Sequence, residues 1–290
     1  MQLLPVRRYR ILKTRAENNL SENTSYKKSS FGPAFLFVSA RQRVALAAYY
    51  EFCRLMDDIA DEPREKPLQE LDFWQAEIER VFNGTAQTEL GKRLGEVVNE
   101  FGLPPERFLL LIEGMRADLQ GKAYETLAAL DWYLYRVAVV VGLATLDILD
   151  VKGPQAHALA LSLGSAVQLT NIIRDVAEDA QLKRVYLPNK TLEQFGLTRE
   201  DILNGNKPTQ IACVLSFLDE KTRELYEQSF ALMRQWPRLK MLPCRMMACV
   251  YAKNLAKIRK RGFLSHEPLK LTKAEKMQGV LYAVFQTIFA

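Results

Sequence analysis

Residues 166–188 read AVQLTNIIRDVAEDAQLKRVYLP, and in them Gln168, Asn171, Asp175 and Asp179 recur three or four positions apart. That interval puts all four on one stripe of an α-helix. Leu169, Ile172, Ile173 and Val176 take the opposite side. Oxygen donors at i, i+4 and i+8 on one face are placed for a hard cation. A second acidic cluster stands far upstream in residues 48–63, AYYEFCRLMDDIADEP, where Asp57, Asp58 and Asp61 fall near the C-terminal end of what should be a long helix. A helix C-terminus carries partial negative charge, and acids four apart on one face repel, so a positive group should compensate.

Apolar residues elsewhere keep the same helical spacing, as in Leu68, Leu71, Ile78 and Phe82 or Leu109, Ile112 and Met115, while strand patterns are scarce. The chain is therefore read as all-α. Turn and cap signals at Pro63, Asn83-Gly84, Gly102 with Pro104 and Pro105, Gly153-Pro154, Gly196, Asn204-Gly205 and Pro237 divide it into about eight helices. No flexible linker, low-complexity tract or fixed-period repeat interrupts them, so residues 1–290 are expected to form one domain. The first thirty residues are polar and irregular, which suits a frayed segment or a flap.

The composition narrows the function. With 290 residues, 48% hydrophobic and 26% charged, disorder and fibre are excluded, and the core needs no disulfide or metal. Cys53, Cys213, Cys244 and Cys249 form no CxxC pair, which favours a reduced, cytoplasmic setting. His157 and His266 are the only histidines, so a protease triad or multi-histidine metal centre is not expected, and acid–base work falls to carboxylates or tyrosines. The start, MQLLPV before Arg7, Arg8 and Arg10, has the wrong order for a secretory signal. The longest uncharged windows, 137–146 and 277–290, fall short of a bilayer span. Residues 237–277 hold eleven Lys/Arg against two Asp/Glu, a net +9, which leaves the rest of the chain at −3 of the overall +6. This basic stretch is either a solvated helical face or a surface for anionic headgroups or phosphate. Nucleic acid is not expected, because the basic residues lack interleaved aromatics.

Magnesium keeps several waters, accepts one or two carboxylates and completes its shell with substrate phosphate. Two aspartate clusters facing one cavity would thus suit a diphosphate substrate, with Arg54, Arg174 and Arg184 beside them to hold the phosphates. A lone DDxxD can equally be an exposed acidic turn; two clusters, each with an arginine neighbour, favour metal.

The chain resembles the squalene/phytoene synthase family over nearly its whole length. The resemblance rests on SSFGPAF at 29–35, YEFCRLMDDIADEP at 50–63, YLYRVAVVVG at 133–142 and QLTNIIRDVAEDAQLKRVYLP at 168–188. It implies an isoprenoid-synthase helical bundle with a central cavity and an aspartate-rich motif on each of two opposing walls. Asp57 and Asp61, with Asp58 beside them, would bind Mg2+ (or Mn2+) on one wall, and Asn171, Asp175 and Asp179 on the other. Ser30 and Phe31 match the flap over the donor site, and Arg54 a diphosphate-contacting arginine. Tyr133, Val137, Ala138, Val141 and Gly142 would line the prenyl channel, with Gln168 near the reacting carbons. Tyr133 and Tyr251 match tyrosines at the reaction centre; Arg184 and Tyr186 match the pair after the second motif.

The implied reaction is head-to-head condensation of two farnesyl diphosphates to presqualene diphosphate, feeding downstream enzymes of squalene or hopanoid synthesis. A squalene, dehydrosqualene or phytoene synthase would share every motif, with NADPH needed only if the reaction continues to squalene. An inactive member acting in assembly or membrane docking is a further alternative. One departure stands out: where the family often has an arginine beyond the helix of Tyr251, this chain reads SHEPLKLTK, leaving Lys270 or Lys273 as substitutes. A lysine lacks the bidentate geometry of arginine.

Overall fold

Ser39 and Gln42 close a capping box, with Ser39 Oγ accepting from Gln42 N at 3.3 Å and Gln42 Oε1 accepting from Ser39 N at 3.1 Å. Helix α1 (Ala40–Asp61) starts there in a computed structural model that describes residues 37–263 and 269–289. It is followed by α2 (Pro67–Phe82), α3 (Glu89–Phe101), α4 (Glu106–Leu119), α5 (Leu127–Leu134) and α6 (Val140–Ile148). The long α7 (Pro154–Gln181) leads to the short α8 (Asn189–Gln194) and α9 (Arg199–Asn204). Then come α10 (Pro208–Met233), α11 (Leu242–Lys260) and α12 (Lys273–Phe289). The architecture is all-α, as expected. The expected flap residues Ser30 and Phe31 lie outside the described residues.

All seven expected breaks are present, yet the described residues form twelve α-helices rather than about eight. The additional breaks arise at Gly121 (φ 63°), Lys183 (φ 59°), Gly262 (φ 75°) with Phe263 (φ 61°), and at a π-helical turn, Tyr135–Val139, joining α5 to α6. Left-handed backbone at Lys183 carries no glycine or proline signal, which is why the sequence hides that turn.

Helix α7 occupies the centre, packing against α6, α9, α10, α11 and the π turn. Its buried side carries Leu169, Ile172 and Ile173, as expected, together with small hydroxyl residues that let α10 approach. Thr170 and Tyr226 share a hydrogen bond of 2.9 Å across this contact, and Ser229 Oγ donates to Ser162 Oγ at 2.9 Å. Each buried hydroxyl is thereby satisfied. The runs Leu127–Ile148 and Pro154–Gln181 are long and apolar enough to cross a bilayer by length and composition, but here they are packed into the bundle, the second as its central helix.

The π turn fits between two glycines. A Cβ on Gly114 of α4 would meet Val137 Cγ1 at 2.6 Å, and one on Gly164 of α7 would meet Val139 Cα at 2.9 Å and Ala138 O at 3.0 Å. At Gly164 the obstruction is backbone, which cannot swing aside. Gly164→Ala is accordingly expected to cost about 1–3 kcal/mol of stability, the range for forcing atoms into a packed interior. Urea unfolding measures it, and an unchanged midpoint would show that the turn is not held this tightly.

Candidate active site

The C-terminus of α1 does draw in positive charge. Arg54 Nη2 donates to Asp58 Oδ1 at 2.7 Å, and Arg64 Nε donates to the Asp58 carbonyl at 3.0 Å. From the other wall, Arg184 donates to Asp61 Oδ1 at 2.6 Å and to the Ala60 carbonyl at 2.7 Å. Arg184 reaches there because Lys183 turns the chain back on itself just beyond α7, with Arg184 N bonded to Asp179 O at 2.9 Å. One guanidinium so ties the end of the first aspartate helix to the end of the second.

On α7, Arg174 clasps Asp175 with both arms, Nε donating to Oδ1 at 2.7 Å and Nη2 to Oδ2. A pattern emerges. Each of the three arginines expected near phosphate is parked on an aspartate, whereas Asp57 has Arg54 only at 3.7 Å and Asp179 makes no ion pair among the described residues. These two are the carboxylates most resistant to ionisation. Burial pushes Asp57 up to about 7 against the pull of Arg54, with Asp61 and Asp58 adding repulsion. Burial and then Asp175 push Asp179 up to about 8, against Arg184 and with Asp118 and Asp61 adding to the rise. Asp57 nonetheless keeps 42% of its side-chain surface accessible.

The donor set suits a hard cation. It consists of carboxylate and amide oxygens, and Asn171 Oδ1 is buried without a hydrogen-bond partner while Asn171 Nδ2 donates to Gln168 Oε1 at 3.2 Å. Among the described residues no three carboxylate, histidine or cysteine side chains converge on one point. Any single ion would take only one or two of a wall's oxygens, the number magnesium accepts when water and phosphate supply the rest. Asp57, Asp58 and Asp61 would hold it on α1, and Asn171, Asp175 and Asp179 on α7.

Behind this band lies a buried group that sequence reasoning missed. Asp118, in the last turn of α4, accepts from Tyr133 OH and from Tyr186 OH, each at 2.9 Å. The two rings stack at 4.9 Å, with Tyr124 beside them. Burial raises Asp118 to about 6, with Arg184 and both phenols opposing the rise. The phenols themselves are raised by burial, then by Asp118, so they stay protonated as donors. The only trace in the sequence was one of the three acids of α4, with no other acid three or four positions away.

Val137 and Ala138 on the π turn, and Val141 and Gly142 on α6, are half-buried, as is Gln168 on α7. Tyr133, by contrast, is fully buried with its hydroxyl on Asp118. Tyr251 is half-buried and faces a separate cavity of about 170 Å³ lined also by Arg174, Asn254, Lys270 and Lys276. Lys270 thus stands beside Arg174, while Lys273 is not in this wall, and Lys276 is a cation the sequence reading missed. Asn254 Oδ1 there is buried without a partner.

The squalene/phytoene synthase family model matches residues 25–275, so the chain belongs to that family of prenyl-transferring enzymes. It is 30% identical to the 15-cis-phytoene synthase of Synechococcus elongatus, covering 91% of this chain and 94% of that one. It is 35% identical to the presqualene diphosphate synthase of Rhodopseudomonas palustris, covering 88% and 93%. Among solved structures, the squalene synthase HpnC from Alicyclobacillus acidocaldarius superposes with a TM-score of 0.78 at 27% identity, covering 89% of this chain and 97% of that one. The fold is therefore the isoprenoid-synthase bundle that the resemblance implied.

Carboxylates whose folded-state pKa is raised add stability only while protonated. Their contribution is complete below the unfolded value near 4 and is lost as pH rises through about 7 for Asp57 and about 8 for Asp179. In chelator, Asp179→Asn is thus expected to raise the thermal midpoint, more at pH 9 than at pH 6. A midpoint difference independent of pH would remove the assignment.

Proposed function

We propose that this protein joins two molecules of farnesyl diphosphate head-to-head to give presqualene diphosphate and free diphosphate, in a magnesium-dependent step of squalene and hopanoid synthesis. The observation that carries the reading is the pairing pattern: three arginines, each held by an aspartate, around two carboxylates that lack a close cation. Diphosphate oxygens can take over Arg54, Arg174 and Arg184, which frees Asp58, Asp175 and Asp61 as oxygen ligands. Magnesium, or manganese in its place, when bound neutralises charge on the departing diphosphate.

The chain's own residues supply the rest. Arg174, Lys270 and Lys276 hold anionic oxygens on the Tyr251 side, where the lysines act as point charges in place of a forked guanidinium. Val137, Ala138, Val141 and Gly142 offer small apolar surface to a prenyl tail and keep water from an allylic cation. Tyr133 and Tyr186 already donate to Asp118, so either phenol oxygen can accept the proton lost on cyclopropane closure as its own passes to that carboxylate. NADPH enters only if the reaction continues to squalene.

A second reading is kept because the relatives divide: one is named a phytoene synthase and the other a presqualene diphosphate synthase at comparable identity. Incubation with farnesyl diphosphate and Mg2+, with and without NADPH, followed by mass spectrometry separates them. A thirty-carbon monodiphosphate accumulating in both conditions is expected. A thirty-carbon hydrocarbon would replace this reading with squalene or dehydrosqualene formation, and turnover of geranylgeranyl diphosphate alone with phytoene formation. Asp57→Asn and Asp175→Asn are each expected to lower turnover about a hundredfold or more, the scale for deleting one group that stabilises developing charge. Normal turnover by both would leave the metal assignment without support.

A further inference from the structure

Among the described residues, the wall of the cavity that Tyr251 faces contains no carboxylate. Arg174, Lys270 and Lys276 place three cations around its roughly 170 Å³, Val250 and Leu271 add apolar surface, and Tyr251 and Asn254 are the neutral polar groups. Arg174 uses Nε and Nη2 on Asp175, Lys270 reaches Glu178 only at 3.8 Å, and Lys276 makes no ion pair among the described residues. Positive charge is therefore left over for an anion. A divalent cation would meet three like charges there and no acid to hold it.

Asn254 adds something the cations do not. It stands three residues beyond Tyr251 on α11, on the same face, and is 6% exposed. Its Oδ1 is enclosed without a partner, and its Nδ2 makes no hydrogen bond among the described residues. A buried amide left unpaired costs the fold stability, which a bound group recovers. Cations alone would hold any oxyanion. An amide oxygen only accepts, so it repels a bare anionic oxygen and takes a hydrogen bond from one that carries a proton. The amide as a whole matches a hydroxyl and a bare oxygen on one centre, which phosphate offers near neutral pH and sulfate does not. We infer that Asn254 reads phosphate: it makes this pocket a metal-free site for a phosphate group that keeps one hydroxyl, Nδ2 donating to a bare oxygen and Oδ1 accepting from the hydroxyl, with Arg174, Lys270 and Lys276 balancing the charge. The inference deepens the anion contact proposed above for the same three cations, and rests on that reading only for which phosphate arrives. Free diphosphate and the terminal phosphate of a prenyl diphosphate share this chemistry.

Calorimetry on the full chain in chelator tests this without turnover, so failure of presqualene diphosphate formation would leave the result standing, and failure of the test would leave that reaction untouched. The probes are inorganic phosphate, sulfate, inorganic diphosphate and farnesyl diphosphate. The wild type is expected to bind phosphate about tenfold or more tighter than sulfate, the scale of one hydrogen bond to a charged group. Lys276→Gln is expected to weaken both anions alike, because it removes charge and leaves the amide. Asn254→Leu, close in shape, is expected to bring phosphate down to the level of sulfate and, with no anion present, to raise the thermal midpoint by removing an unpaired buried amide. Tighter binding of farnesyl diphosphate than of diphosphate would assign the pocket to the head of the substrate, and tighter or equal binding of diphosphate to the released product; both keep the inference. Equal binding of phosphate and sulfate by the wild type, no phosphate binding without magnesium, or selectivity retained by Asn254→Leu would each overturn it. So would a lower midpoint for that variant, which would give Asn254 a purely structural role.

Discussion

Asp57 and Asp179 lie where the protein itself resists their ionisation, and the site is organised around that resistance. Carboxylates from the ends of α1 and α7 crowd together, and the bundle answers with three guanidinium groups, each drawn to a different acid. The arrangement is neutralised in part only. A site left short of positive charge in this way costs the fold stability. The same shortage explains why Arg184, rather than a hydrophobic contact, joins the ends of α1 and α7.

The remainder of the fold serves to hold those two helix ends in place. α7 runs through the centre, sealed to α10 by paired hydroxyls, so its polar stripe cannot turn toward bulk solvent. Behind it, Asp118 fixes two tyrosines at once, and Arg184 opposes the rise in its pKa. The acids at the two helix ends and the buried groups behind them thus belong to one electrostatic unit, in which a change at one acid is felt by the others.

Most of this frame could be read from the chain. The helical stripe of Gln168, Asn171, Asp175 and Asp179 and the misplaced acids of α1 gave the two walls, because periodicity and charge are local properties. The guanidinium that compensates the end of α1 was foreseen as a need but not as Arg184, since the turn that delivers it depends on left-handed backbone at a lysine. Asp118 escaped because it has no acid three or four positions away to make a pattern, and its meaning comes from two tyrosines distant in sequence. Lys276 escaped for a related reason: Lys270 and Lys273 stood nearer the expected arginine, and only the packing of α12 on α11 selects Lys270 and Lys276 instead. Of the additional breaks, those at Lys183 and at the π turn had no glycine or proline to mark them.

The wide turn at Tyr135–Val139 has one more residue than an ordinary helical turn can hold, and it is accommodated by the missing side chains of Gly114 and Gly164. The extra residue and the two glycines therefore form a lock with three parts on three separate segments. A descendant that restored regular α-helix there would slide every later residue of α6 by about 100° around its axis, and one that filled a glycine first would collide with the bulge. Either change alone costs stability. The positions of Val137, Ala138, Val141 and Gly142 are for this reason set by the turn and its two glycines together rather than by any one of the small residues.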